Sequence, residues 1–221
     1  MGVAGARGGC GASTLAAVLA ARLGRQTATV LVDLDHVGAG IDLLLGLEDV
    51  PGVRWPDLAG ARGDVPGRDL LAALPRWGRC AVLAAGRAAA PPDDDVVADV
   101  LRALSEETGT VVLDLGRARG SDVAPDALVL VVPRDVRGVA SASAVRAEWA
   151  ARGVGVAVVA RGPAPGGMGV SELAQAVGAP VTASLPTVRG LAADVERAGL
   201  VVRRPLARVA DRLARDLVGV P

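Results

Sequence analysis

The sequence predicts an α/β fold in which a mostly parallel, twisted sheet carries helices on both of its faces. Two observations predict this class. Runs of β-branched residues alternate with Ala- and Leu-rich stretches of helical periodicity, which is the alternation expected of a parallel sheet. Several of these runs are apolar almost throughout, as strands buried on both faces are. At 221 residues, the chain is long enough for one domain with a sizeable core and too short for two substantial ones.

We predict strands at residues 27–33, 111–115, 127–132 and 154–159. We predict helices at residues 13–23, 96–107, 139–152, 171–177, 191–198 and 205–217. Residues 51–67 and 88–95 have the composition of loops. The strand expected before the first helix is cut to residues 2–4, where about five apolar residues are usual. We therefore expect either that the chain is the C-terminal part of a longer protein or that its start has been trimmed.

Charge and hydropathy exclude several classes of protein. The charges of the 24 basic and 24 acidic side chains cancel. The sequence contains no basic cluster of the kind that indicates nucleic-acid binding. No apolar run approaches the ~20 residues that span a bilayer, and no signal-peptide pattern opens the chain, so we expect a cytoplasmic protein. The two cysteines, Cys10 and Cys80, are too few for a disulfide framework or a metal knuckle.

A glycine-rich segment near the start has the outline of a phosphate-binding loop. Such a loop uses glycines to turn backbone N–H groups toward the β-phosphate, a lysine to neutralise phosphate oxygens, and a Ser or Thr hydroxyl for Mg²⁺. Here Ala12 stands in place of the lysine, and all 24 basic residues are arginines, so no other lysine can replace it. The alternative is a glycine-rich turn without a ligand. The segment consists of Arg7, Gly8, Gly9, Cys10, Gly11, Ala12, Ser13 and Thr14.

Three aspartates follow predicted strands. Asp33 and Asp35 end the first of these strands, and the two-residue period of a strand puts both carboxylates on one side of the carboxyl edge of the sheet. Ligands of open α/β sheets bind at that edge. One carboxylate can reach a Mg²⁺ ion while the other, Asp35, orients a water for attack on a γ-phosphate. Asp114 ends the next strand in the manner of an aspartate that holds Mg²⁺ through water. The alternative role for each is a helix cap or turn residue.

With these residues identified, the chain resembles the deviant-Walker-A ATPases of the MinD and ParA group, and within it the CpaE/TadZ branch of high-GC Gram-positive bacteria. The resemblance extends over nearly the whole chain and implies a P-loop NTPase-like fold, with residues 1–221 as a single nucleotide-binding domain. It also implies ATP or ADP with Mg²⁺ as cofactors. In that group the loop reads Lys-Gly-Gly-x-Gly-Lys-[Ser/Thr].

The resemblance assigns roles residue by residue. Arg7 matches the signature lysine, which in the group reaches the partner's nucleotide across a sandwich dimer. Arg7 keeps the positive charge of that lysine, and its guanidinium can donate two hydrogen bonds at once. Ser13, Asp33 and Asp114 match metal-site residues, and Asp35 matches the second switch I acid. Residues 41–46 continue the switch I segment as in MinD. Three residues fall where later strands of the group end near the base and the phosphates: Pro133, Arg161 and Pro163.

Departures from the group pattern affect the expected chemistry. The base-contacting Asn common in MinD-like sequences is Gly162 here, which removes one basis for adenine specificity. Arg117 and Arg119 follow Asp114 where switch II would lie. Either arginine can partly substitute for the lost lysine, and the alternative for both is an ordinary solvated side chain.

We therefore expect an atypical nucleotide-binding localisation or scaffold protein with weak or no ATP hydrolysis. The resemblance associates it with type IVb (Tad/Flp) pilus or secretion assembly, or with septum-site placement, and implies a homodimer and recruitment to a cell pole or septum. One alternative is an active dimerising ATPase in which an arginine replaces the lysine. Another is a nucleotide-free interaction module that keeps only the fold.

Four further features admit two readings each. Cys10 is a buried filler or a thiol activated by the helix N-terminus. His36 is incidental or touches a γ-phosphate. Trp55 folds back over the core or anchors a partner. The amphipathic C-terminal helix lacks aromatic anchors and carries acidic residues, so we expect it to pack against the sheet, with membrane contact at most peripheral.

Overall fold

A computed structural model describes residues 1–61, 65–86, 91–117 and 123–219. Its eight strands form one sheet in the order β3-β4-β2-β5-β1-β6-β7-β8. All neighbouring strands run parallel except β3 and β4, which form an antiparallel pair. The strands are β1 (Gly2–Gly5), β2 (Thr29–Asp33), β3 (Arg76–Trp77), β4 (Cys80–Leu83), β5 (Thr110–Arg117), β6 (Ala127–Pro133), β7 (Gly155–Arg161) and β8 (Val181–Leu185).

Helices cover both faces of this sheet, which confirms the predicted fold class. The helices are α1 (Ala12–Leu23), α2 (Ile41–Leu45), α3 (Gly67–Ala73), α4 (Asp94–Glu107), α5 (Val136–Ala151), α6 (Val170–Val177), α7 (Leu191–Ala198) and α8 (Arg204–Val218). Apolar side chains of α1, α2 and α8 pack on one face of the sheet. Those of α3, α4, α5 and α6 pack on the other face.

The four predicted strands and six predicted helices all occur, with no end shifted by more than three residues. Sequence reasoning missed β3, β4 and β8, which are only two, four and five residues long. It also missed α2 and α3, because five or seven residues carry too little periodicity to reveal a helix. The predicted loop at residues 51–67 contains a 3₁₀ turn (Trp55–Leu58), and part of the loop at 88–95 lies outside the described residues.

The short first strand lies at the centre of the sheet. β1 has four residues, all buried, and pairs with β5 on one side and β6 on the other. Its position places the segment that follows it, residues 6–11, between the carboxyl ends of its two neighbours. The phosphate-loop sequence is thus held at the middle of the carboxyl edge.

The C-terminal helix packs as the sequence predicts. Leu206, Val209 and Leu213 are buried in the core that α8 shares with α1. Arg22 on α1 donates from Nε and Nη2 to the two carboxylate oxygens of Asp211 at 2.6 and 3.1 Å, a bidentate pair that also fixes the angle between the helices. The apolar face of this helix is therefore covered by the protein itself.

No helix among the described residues combines the length and apolar character that a membrane crossing needs.

Truncating Leu213 tests the packing of α8. Leu213 is fully buried, so Leu213→Ala leaves a cavity and should lower the free energy of unfolding by about 2 to 5 kcal/mol in urea titrations. Arg208→Ala on the exposed side of the same helix is the matched control and should change it by less than about 0.5 kcal/mol. Equal effects of the two substitutions would show that α8 does not pack as described.

Candidate nucleotide site

The glycine-rich loop connects β1 directly to the N-terminus of α1. Gly9 and Gly11 have φ of 75° and 94°, a left-handed conformation that only glycine adopts without strain. A Cβ at Gly5 would lie 2.6 Å from the sulfur of Cys10, so the loop also closes tightly on the end of the strand. No side chain caps α1 at Gly11. The first amides of the helix are therefore available to an anion at the mouth of the loop.

Ser13, Asp114 and Asp35 converge in front of this loop. Ser13 and Asp114 line the same cleft, and Asp114 is 2% exposed. The carboxylate of Asp35 lies directly over Gly116, where a Cβ would be 2.5 Å from Oδ2. Gly116 has φ of 56° and also donates its N–H to Asp114 at 3.2 Å. Glycine is required here both by the backbone angle and by the approach of Asp35.

Asp33 is buried behind these groups and organises the segment that follows β2. Its carboxylate accepts the backbone N–H groups of Asp35, Ile41 and Ala85 at 3.0, 2.8 and 3.4 Å. Both oxygens are therefore already engaged with the backbone. This arrangement favours a positioning role over the metal-ligand role that the resemblance implies for this residue.

Burial gives two of the acids unusual protonation behaviour. It raises the pKa of Asp33 to about 7, an effect to which the charge of Asp114 adds and which the three amides oppose. Burial likewise raises the pKa of Asp114 to about 6, where Ser13 and the amide of Gly116 oppose the rise and the charge of Asp35 adds to it. The groups around the cluster thus do not fully compensate its negative charge. A bound cation would favour the ionised forms of the Asp33 and Asp114 carboxyls.

A cleft of about 460 Å³ opens in front of the cluster. Ala12 lines it, so the position that would carry the lysine faces the cleft and not the core alone. Arg117 lines the same cleft, whereas Arg119 lies outside the described residues. Predicted site residues that line this cleft are Arg7, Gly8, Gly9, Cys10, Gly11, Ala12, Ser13, Thr14, Asp33, Asp35 and Asp114.

Pro133, Arg161 and Pro163 line a separate cleft of about 230 Å³ on the other side of the loop. The two clefts share residues 7–10, so the loop is their common wall. Arg161 is partly buried and donates from Nη1 to the carbonyl of Pro186 at 2.6 Å, which ties the end of β7 to the residue after β8. The structure thus brings the predicted residues to one edge of the sheet but divides them between two cavities.

Arg7 contacts a residue that sequence reasoning missed. Its Nη2 donates to Oδ2 of Asp135 at 2.7 Å, within the same chain. Asp135 also caps α5 by accepting the N–H of Gly138 at 2.8 Å. The signal was available, because an Asp directly before a helical stretch is a common cap. The pairing of Asp135 with Arg7 could not be predicted in this way, since 128 residues separate the two.

For each of the four features with two interpretations, the structure shows contacts of the structural kind. Cys10 is buried, and burial raises the pKa of its thiol, so the thiol is not activated. Trp55 is 1% exposed, and its indole N–H donates to the carbonyl of Asp33 at 2.7 Å. His36 stacks edge-on against Trp55 at 6.1 Å between ring centroids. The fourth, the C-terminal helix, packs in the core as described above.

A second missed residue fixes the segment between β2 and the 3₁₀ turn. Arg54 donates to the carbonyls of Leu47 and Val50 at 2.9 and 3.0 Å, and its Nε lies 3.8 Å from the buried carboxylate of Asp42. Together with Trp55, this arginine holds residues 41–55 against the sheet. The loop that carries Asp35 therefore starts and ends at anchored positions.

The donor set fits a magnesium ion only together with a phosphate ligand. Among the described residues, no group of His, Cys, Asp or Glu could hold a metal ion by itself. Ser13, with a hydroxyl, and Asp114, with a buried carboxylate, supply the hard oxygen donors that Mg²⁺ prefers alongside phosphate oxygens and water. When bound, the ion would neutralise charge on the phosphates.

The raised pKa values predict a pH-dependent stability for the nucleotide-free protein. Both carboxyls bind protons more tightly in the folded than in the unfolded chain, so stability falls as the pH rises from about 4 through 6 and 7. Urea titrations should show a loss on the order of 2 kcal/mol between about pH 5 and pH 8. Asp114→Asn should flatten this slope, because it removes one titrating group and one charge beside Asp33. An unchanged slope in the variant would contradict the assignment.

Known proteins resemble this chain in sequence and in fold. No protein-family model matches the chain. Two curated relatives, uncharacterized proteins from two strains of Mycobacterium tuberculosis, are each 40% identical over 226 residues, covering 99% of this chain and 62% of their own length. The chain therefore spans less than two thirds of the curated relatives that it matches.

Solved structures share the fold at low sequence identity. A ParA family ATPase from Chlorobium tepidum has a TM-score of 0.81 at 16% identity, with 98% of each chain covered. The MinC:MinD cell division protein complex from Aquifex aeolicus gives 0.78 at 20%, covering 100% of this chain and 96% of that one. MinD complexed with Mg-ADP from Pyrococcus horikoshii gives 0.78 at 18%, covering 98% and 96%. The chain has the P-loop NTPase fold of the MinD/ParA ATPases.

Proposed function

We propose that this chain binds ATP or ADP with Mg²⁺ and serves as a localisation or scaffold protein of the MinD/ParA type, with weak or no ATP hydrolysis. One observation carries the proposal. Ser13 and the buried Asp114 line one cleft beside a glycine loop at an uncapped helix N-terminus. A turn without a ligand has no need of this combination, which places donors for phosphate and for Mg²⁺ side by side.

The missing lysine reduces affinity without abolishing it. A charge-assisted hydrogen bond to phosphate contributes roughly 1.5 to 3 kcal/mol, so its loss weakens binding by about one to two decades. The backbone amides of residues 8–13 remain and carry the phosphate contacts in this proposal. Hydrolysis suffers more, because the lysine also stabilises charge that develops on the transferred phosphoryl group.

Each acid has a separate role in this proposal. Ser13 and Asp114 hold the Mg²⁺ ion. Asp35, half-buried and facing the cleft, orients the attacking water if hydrolysis occurs. Asp33 accepts three backbone N–H groups and so holds the switch segment in place. It therefore acts on the metal site indirectly, by positioning that segment. Pro133, Arg161 and Pro163 border the cavity proposed for the nucleoside.

The biological role rests on the resemblance to the CpaE/TadZ branch. It associates the chain with the assembly of a type IVb (Tad/Flp) pilus or secretion machine, or with septum-site placement, at a pole or septum. MinD, a neighbour in fold, forms a complex with the protein MinC. We propose that this chain likewise engages a partner protein of that machinery, and that it forms a homodimer. In that dimer, Arg7 would leave Asp135 and contact the nucleotide bound to the second copy.

A second candidate is an active dimerising ATPase. The placement of Asp35 over Gly116, beside Asp114, favours it, because the water-orienting acid of the site is intact. An arginine would then supply the charge that Ala12 lacks.

Isothermal titration calorimetry tests the nucleotide site. MgATP and MgADP should bind with Kd values in the micromolar to millimolar range, about −8 to −4 kcal/mol. Ser13→Ala should weaken binding of the magnesium complexes, and Ala12→Lys should strengthen it. Arg208→Ala, on the far helix α8, should leave affinity unchanged. Absence of heat and of any thermal shift at millimolar nucleotide would reject the proposal and leave an interaction module that keeps only the fold.

Phosphate release separates the two candidates. The scaffold proposal expects wild-type turnover indistinguishable from that of Asp35→Ala, because no lysine is present at the loop to stabilise the charge that develops on the transferred phosphoryl group. A wild-type rate well above buffer that falls to background in Asp35→Ala, with MgATP affinity retained, would establish the ATPase instead. Ala12→Lys should raise the rate if the remaining groups are intact.

A further inference from the structure

The cleft lacks positive charge where a triphosphate would need it. Three carboxylates line it, those of Asp33, Asp35 and Asp114, and the described part of its wall contributes two guanidinium groups, Arg7 and Arg117. Even with Mg²⁺ bound, a triphosphate keeps net negative charge. Electrostatic repulsion from the acids therefore makes a direct cationic contact more valuable here than in a loop that keeps its lysine.

Most arginines around the loop are already engaged. Arg7 pairs with Asp135 at 2.7 Å. Arg161 donates to the carbonyl of Pro186, and Arg134 donates to the carbonyl of Met168 at 3.3 Å. Within the described ranges, by contrast, no hydrogen bond or ion pair engages Arg117, whose side chain is exposed. Arg117 is the arginine of the cleft that a ligand can recruit without breaking an existing contact.

The backbone brings Arg117 to the loop. It pairs with Gly5, the last residue of β1, so the two Cα atoms lie on adjacent strands about 4.8 Å apart. The phosphate loop begins two residues later, at Arg7. Alternation along β5 would turn Arg117 to the face of Leu113 and Leu115, away from Asp114. The left-handed Gly116, with φ of 56°, interrupts that alternation, and Arg117 lines the cleft.

We propose that Arg117 binds the terminal phosphates of the nucleotide and supplies the positive charge that Ala12 does not. This inference rests on the proposed nucleotide site. Ala12 leaves the lysine's volume empty on the same cleft, so a guanidinium can enter from the β5 side. The planar fork of an arginine matches two phosphate oxygens at once, which an ammonium group does not. The carboxylate of Asp35, the acid proposed to act at the γ-phosphate, lies over Gly116, the residue before Arg117, so ATP should depend on Arg117 more than ADP.

A double-mutant cycle on nucleotide affinity tests the inference. Calorimetry would compare the wild type, Arg117→Ala, Ala12→Lys and the double variant with MgATP and MgADP. Arg117→Ala should weaken MgATP binding about 10- to 100-fold, with a smaller loss for MgADP and an unchanged Tm, since the side chain is exposed. In the Ala12→Lys background the same change should cost much less, because the lysine occupies the position that Arg117 would serve.

Controls separate this role from general charge loss and from the neighbouring arginine. Arg208→Ala removes an exposed arginine on α8 and should leave both affinities unchanged. Arg117→Lys should retain much of the MgATP affinity. If the wild type binds MgATP and Arg117→Ala binds it equally well, the inference is overturned while the proposed function stands. A loss confined to Arg119→Ala, or equal losses in both backgrounds of the cycle, would also overturn it. No binding by the wild type would overturn both.

Discussion

The buried carboxylates at the ends of β2 and β5 are the constraint on which the rest of the structure depends. Asp33 and Asp114 are paired in register on adjacent strands, and both are almost completely buried. Two like charges in such a place are costly, and burial raises the pKa of each. The surrounding chain offsets this cost with donors, three backbone amides for Asp33 and the amide of Gly116 for Asp114.

Supplying these donors dictates the course of the loops. The chain after β2 must return its amides to Asp33, and Trp55 and Arg54 hold that segment in place. Gly116 must adopt a left-handed conformation to donate to Asp114 and to leave room for Asp35. The same angle turns Arg117 toward the cleft. The same backbone arrangement thus supplies hydrogen-bond donors to the buried acids and shapes the wall of the cleft.

The fold does not depend on the side chain that stands at position 12. The sheet and its two helical layers depend on apolar side chains, and structures that are only 16 to 20% identical share them. Ala12, at the N-terminus of α1, fits the core as well as the cleft, being 7% exposed and packed among residues of the α1 layer. Ala12 therefore contributes to the packing of α1 and brings no charge to the cleft.

The sequence by itself determined the fold class, the long elements and the loop, because each depends on short-range pattern: apolar runs for β5, β6 and β7, helical periodicity for α4 and α8, and glycine spacing for the loop. It also determined that three acids meet at one sheet edge. Only the tertiary structure decided what each acid contacts. The pairs Arg7–Asp135 and Trp55–Asp33, and the division of the predicted residues into two clefts, join residues far apart in the chain. Local sequence carries no record of such contacts, because strand order and loop return bring them together.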